Sequence, residues 1–99
     1  MEFVLSRGDA ERRADLRYKV SFRVHWGREE SPDVEGQVTD LSAGGCFVLS
    51  AGVVNKGDLV KLQIEMPGRG DLMIWGNVTH WVRDAGFGVR FTTGFRAGG

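Results

Sequence analysis

The feature that most constrains this chain is an alternation. Between residues 19 and 26, Val20, Phe22, Val24 and Trp26 interleave with Lys19, Ser21, Arg23 and His25. Successive side chains of an extended backbone point to opposite faces, so a period of two specifies a strand with one face buried and the other wet. The same signature recurs along the chain. GREESPDVEG has the composition of a loop and returns the chain into VEGQVTDLS. Past Gly44 and Gly45, CFVLS is a short apolar run, NKGD reads as a turn, and LVKLQIEM alternates again. MPGRGD leads into LMIWGNVTHWVR, where Gly76 is the expected bulge or bend, and DAG turns the chain into FGVRFTT. Fifteen glycines against two prolines, with many Val, Phe and Trp residues, fit a strand-rich domain with tight turns. The expected fold is all-β: six short antiparallel strands closed into a small barrel, because closure hides the edges that an open sheet would expose.

Size and charge narrow the function classes. Ninety-nine residues make one compact domain. Residues 1–17 crowd charges without an apolar stripe, so they are expected to form a flexible N-terminal arm, with the barrel over 18–95 and a tail at 96–99. Thirteen basic and thirteen acidic side chains cancel, which argues against a nucleic-acid polymer or an anionic membrane as partner. No apolar stretch approaches the roughly 20 residues that span a bilayer, and MEFVLSRGDAERR lacks the basic-then-apolar order of a signal peptide. The expected location is cytoplasmic. Cys46 is the only cysteine, so no internal disulfide can form; in its apolar run it reads as a small buried side chain. No nucleophile with a base, carboxylate pair or Cys/His cluster stands out, so neither an enzyme nor a metal or other cofactor is expected.

Two motifs remain. The arm contains Arg12-Arg13-Ala14-Asp15-Leu16-Arg17, and the second strand ends in Asp40-Leu41-Ser42-Ala43-Gly44-Gly45. An RxxxR followed, after one strand and a hairpin, by DxSxxG resembles the PilZ family, bacterial six-stranded barrels that bind cyclic di-GMP. GDLVKLQIEMP, WGNVTHW and GFGVRF are similar to that family's remaining strands, so the likeness covers nearly the whole chain. The resemblance implies a cyclic di-GMP site made of Arg12, Arg13, Arg17, Asp40, Ser42, Gly44 and Gly45, and a downstream protein partner in motility, biofilm or polysaccharide control. It implies further that Arg12, an arginine directly before RxxxR, goes with capture of an intercalated pair of ligands. An aromatic on the fifth strand often lies near the ligand in that family; here either His80 or Trp81 can hold the place, since one residue of slip reverses the face.

The chemistry of these residues suits such a ligand. A planar, permanently charged guanidinium can grip guanine O6 and N7 or a phosphate through paired hydrogen bonds, and can stack on a base. A carboxylate such as Asp40 accepts from guanine N1–H and the exocyclic amine, an edge that a purely phosphate-binding site would leave unmatched. Ser42 can donate its hydroxyl or fix the turn, while Gly44 and Gly45 let the backbone approach a ligand closely. Stacked ligands would bring four phosphates together, a charge that Arg12 helps offset.

Plainer readings exist for each piece. Asp9 can cap a short helix running to Arg17 in which the arginines are a solvated face, and DLSAGG can be only a glycine-rich turn. His25 belongs to the polar side of the first strand. Arg28, Arg69, Arg83, Arg90 and Arg96 read as scattered surface charge, although Arg83 and Arg90 would flank the site if strands five and six pair there. Competing functions are a PilZ-like adaptor working by protein–protein contact without nucleotide, and a barrel for single-stranded nucleic acid, which would need a basic groove.

Overall fold

In a computed structural model the described residues, 17–28 and 32–92, form six strands. These are β1 (Tyr18–Gly27), β2 (Val34–Leu41), β3 (Gly45–Leu49), β4 (Leu59–Met66), β5 (Gly70–Val82) and β6 (Gly86–Phe91). All neighbours are antiparallel, and the order β1-β2-β3-β6-β5-β4 closes on itself where β4 pairs with β1. The expected six-stranded barrel is therefore the fold. Residues 1–16 of the expected arm, with Arg12 and Arg13, and residues 93–99, which include the tail at 96–99, lie outside the described residues, as does the expected mobility of the arm.

Alternation decides what fills the barrel. Val24 and Trp26 of β1, Val38 of β2, Val48 of β3, Leu62 and Ile64 of β4, Val78 of β5 and Phe87 of β6 all point inward and are buried. His25, between two of them, is half-buried on the outer face and stands 3.6 Å from Glu35, its cross-strand partner on β2. Turns fall where the sequence places them. Gly57 adopts a φ of 93° in the turn before β4, a conformation that costs glycine nothing. There the Asn55 backbone N–H donates to Asp58 Oδ2 at 2.9 Å and Arg28 Nε donates to the same oxygen at 3.1 Å; together they hold the Asp58 carboxyl below its ordinary pKa.

Two departures from regular pairing matter more than the pairing itself. On β2 the register against β3 runs Val38 to Val48 and then Asp40 to Phe47, leaving Thr39 as an extra residue. On β5 it runs Val78 to Val89 and then His80 to Gly88, leaving Thr79 extra. Each is a β-bulge, which reverses the inward and outward phase of everything after it. Gly76 is not the bulge expected from the sequence. It is a point of close approach, where a Cβ would collide with the Val89 side chain and lie 2.8 Å from the Arg90 carbonyl oxygen. The irregularity sits three residues later, at Thr79, against Gly88 of β6, where a Cβ would collide with the His80 ring and lie 2.9 Å from Thr79 Oγ1.

Candidate ligand-binding site

The bulges build the site. Without the one at Thr39, Asp40 would follow Val38 into the core and Leu41 would face water. With it, Leu41 is fully buried and Asp40 stands on the outer face beside its partner Phe47. There it forms an ion pair with Lys19 at 3.4 Å, the lysine side chain being 90% exposed. A pair so open to solvent is worth about 0–1 kcal/mol, so Asp40 can exchange Lys19 for a better donor at little cost.

The turn that follows is organised by Ser42. Its backbone N–H donates to the Gly45 carbonyl at 2.9 Å, and its hydroxyl donates to the same carbonyl at 3.2 Å while accepting from the Gly44 N–H at 3.3 Å. Ser42 is buried, the only buried polar side chain among the described residues, and these bonds offset its desolvation. Of the two roles open to it, fixing the turn is the one its bonds perform. Gly44 accepts from the Phe91 N–H at 2.8 Å, which ties the turn to β6. Gly45 pairs with Arg90, and a Cβ there would collide with the Val89 carbonyl oxygen. The barrel therefore demands glycine at 45 regardless of any ligand.

Beside this turn lies a cleft of about 400 Å³ on the outer face. Arg17, just ahead of β1, lines it together with Ser42, Gly44 and Gly45 of the turn, Phe47, the Thr79–His80 bulge, Gly88 and Arg90, the last paired directly with Gly45. Phe47, Gly88 and His80 are cross-strand partners in one row over β3, β6 and β5, continuing the row through Lys19 and Asp40. The Phe47 and His80 rings lie 6.0 Å apart, inclined by 35°, with only glycine between them. A Cβ at 88 would strike the His80 ring, so the glycine is what lets the imidazole lie across β6. Thr79 Oγ1 and His80 Nδ1 are within hydrogen-bond distance at 3.0 Å.

Of the residues singled out from sequence, Arg17, Ser42, Gly44 and Gly45 line this cleft and Asp40 borders it. Arg12 and Arg13 fall outside the described residues. Trp81 is not brought to the cleft. The Thr79 bulge sends His80 outward, leaving Trp81 in the inward phase at the barrel mouth, where it lines a separate depression with Leu49, Val53 and Arg83. Arg83 thus parts company with Arg90. Sequence reasoning missed Phe47 and Gly88, whose only signal was membership of the short runs CFVLS and FGVRF.

Cys46 forms the floor and is 3% exposed. Burial pushes its thiol up to about 12, and the nearby Arg17 charge lowers it only in part. The reactive thiolate is therefore negligible at neutral pH. Cys46 is expected to resist a thiol reagent such as dithionitrobenzoate at pH 8 in the folded protein and to react in full in denaturant. Rapid labelling under native conditions would contradict the burial.

Among the described residues no group of three or more His, Cys, Asp or Glu side chains is placed to hold a metal, and no helix is long and apolar enough to cross a membrane. The closed barrel thus carries an outer cleft lined by Arg17, Arg90 and a serine–glycine turn. The PilZ domain family model matches residues 10–97, and the chain belongs to that family, which groups cyclic di-GMP receptor and adaptor domains. Among solved structures the chain is similar to the Bacillus subtilis inhibitor of motility, MotI/DgrA, with a TM-score of 0.70 at 18% identity over 82% of this chain. It spans 42% of that protein's length. No curated protein matches the sequence.

Proposed function

We propose that the chain binds cyclic di-GMP and passes its presence to a protein partner. The observation that carries this reading is the meeting, on one outer cleft, of Arg17 from the first motif with Ser42, Gly44 and Gly45 from the second, bordered by Asp40. In this reading the Asp40 carboxylate leaves Lys19 and accepts from a guanine N1–H and amine. Arg12, Arg13 and Arg17 supply charge-assisted bonds to phosphate and guanine, and a base stacks on the Phe47 and His80 rings. Closing the arginines of residues 12–17 over the cleft would change the surface offered to a partner in motility, biofilm or polysaccharide control. No bond of the ligand is made or broken, so the function is a signal and not a reaction.

A second reading is an adaptor that docks to its partner without nucleotide. What favours it is the likeness of fold to a protein named for inhibiting motility. Titration calorimetry of the chain with cyclic di-GMP separates the two. The receptor reading expects heat at micromolar protein and, because Arg12 precedes the motif, two ligands per chain; Arg12→Ala is expected to bind one. Absence of heat leaves the adaptor, and a ratio of one in the unsubstituted chain overturns the intercalated pair.

A further inference from the structure

The cleft has a cationic group on the barrel itself that belongs to neither motif. Arg90 sits in β6, directly opposite Gly45 on β3 and Asn77 on β5. Residues 88 and 90 share the outer face, so Arg90 lies two positions, about 7 Å, along the strand from the gap between Phe47 and His80. Its neighbours across and along the sheet on the cleft side, Gly45 and Gly88, carry no side chains, which leaves the guanidinium room to lie over the turn. Lys19, beside the turn, is paired with Asp40, whereas Arg17 on the same cleft has no carboxylate partner among the described residues. Arg90 has no carboxylate within 4 Å among the described residues. An exposed arginine is ordinarily just solvated. Arg69 fits that description, on a turn, whereas Arg90 lines a concave site that Arg17 lines as well.

We infer that Arg90 is a phosphate-binding residue of the cleft, gripping a phosphodiester of a cyclic dinucleotide from the barrel side while the base lies against Phe47 and His80. This rests on the nucleotide reading of the site. A guanidinium suits the task because its planar fork meets two phosphate oxygens at once. Its Cα is held on both sides by strand pairing, so less conformational freedom is lost when the bond forms. The spacing of positions 88 and 90 along β6, about 7 Å, is on the scale of one nucleotide, which assigns base and phosphate to neighbouring positions of the same strand.

The test is calorimetry of the full chain with cyclic di-GMP for the unsubstituted protein, Arg90→Ala, Arg90→Lys and Arg83→Ala, at low and moderate salt. Arg90→Ala is expected to weaken binding about tenfold to a hundredfold and to flatten the salt dependence, because one charge contact to phosphate is gone. Arg90→Lys keeps the charge without the fork and falls between. Arg83→Ala, at the other depression, stays at the starting affinity. Thermal melts should be unchanged for all three; if Arg90→Ala melts early, the lysine variant and the salt slopes decide. Affinity of Arg90→Ala within about twofold of a binding parent, with the same salt slope, overturns the Arg90 assignment alone. No binding by the parent overturns the nucleotide reading and Arg90 with it.

Discussion

Arg17→Ala is expected to lower affinity for cyclic di-GMP about tenfold to a hundredfold while leaving the melting temperature where it was. The loss follows from removing a charge-assisted contact, typically about 1.5–3 kcal/mol. Sparing of the fold follows from position. Arg17 is exposed, precedes β1, and its side chain meets no carboxylate among the described residues. Arg13→Ala should match it, since the two arginines stand at the ends of the same motif. Calorimetry beside a thermal melt is the measurement. Unchanged affinity in both variants would detach the motif from the site, and a collapsed melt would mean that the residues before β1 carry stability that the buried core does not reveal.

The largest stability effect is expected in the core of the barrel. Trp26 is 2% exposed, meets Phe87 edge to face at 4.8 Å, and donates from Nε1 to Ser50 Oγ at 3.0 Å. That serine in turn donates to the Glu35 carbonyl at 3.0 Å, so one side chain ties β1 to the segment after β3 and to β2. A Cβ at Gly52 would collide with the Trp26 ring, which shows how closely the following loop packs on it. Trp26→Ala removes the ring, its edge-to-face contact and the bond it donates to the Ser50 hydroxyl. The cost expected is about 3–5 kcal/mol out of a total of about 5–15. For a domain of this size that corresponds to a drop in melting temperature of more than about 12 °C. Urea and thermal unfolding followed by circular dichroism give the answer, and a drop below about 5 °C would contradict the central place of Trp26 in the core.

The strands were readable because alternation is local. Val20, Phe22, Val24 and Trp26 announce one buried face without reference to any other segment, and the turns at NKGD and DAG announce themselves by residues that tolerate unusual backbone; Asp84 adopts a φ of 65° there. Closure into a barrel followed from six such strands with no obvious cover for an edge. The ligand motifs were equally visible, as strings of residues. What the strings did not say is how Ser42 is used, since its bonds run to Gly45 and Gly44 and not outward.

Phase was the hidden quantity. A bulge is a relation between two strands, and its position depends on which residues opposite can accept an extra one. Neither Thr39 nor Thr79 carries a mark of its own. Yet the first bulge turns Asp40 to the surface and Leu41 to the core, and the second chooses His80 over Trp81 for the cleft. Closure likewise separated two arginines that look alike in sequence, leaving Arg90 beside the glycine turn and Arg83 at the barrel mouth. The sequence by itself determined the strands, the family and the pair of motifs, because each is written in residues near one another along the chain. Only the tertiary structure decided which side chains share a face, because that is set by register between strands distant in sequence, where a shift of one residue turns inside to outside.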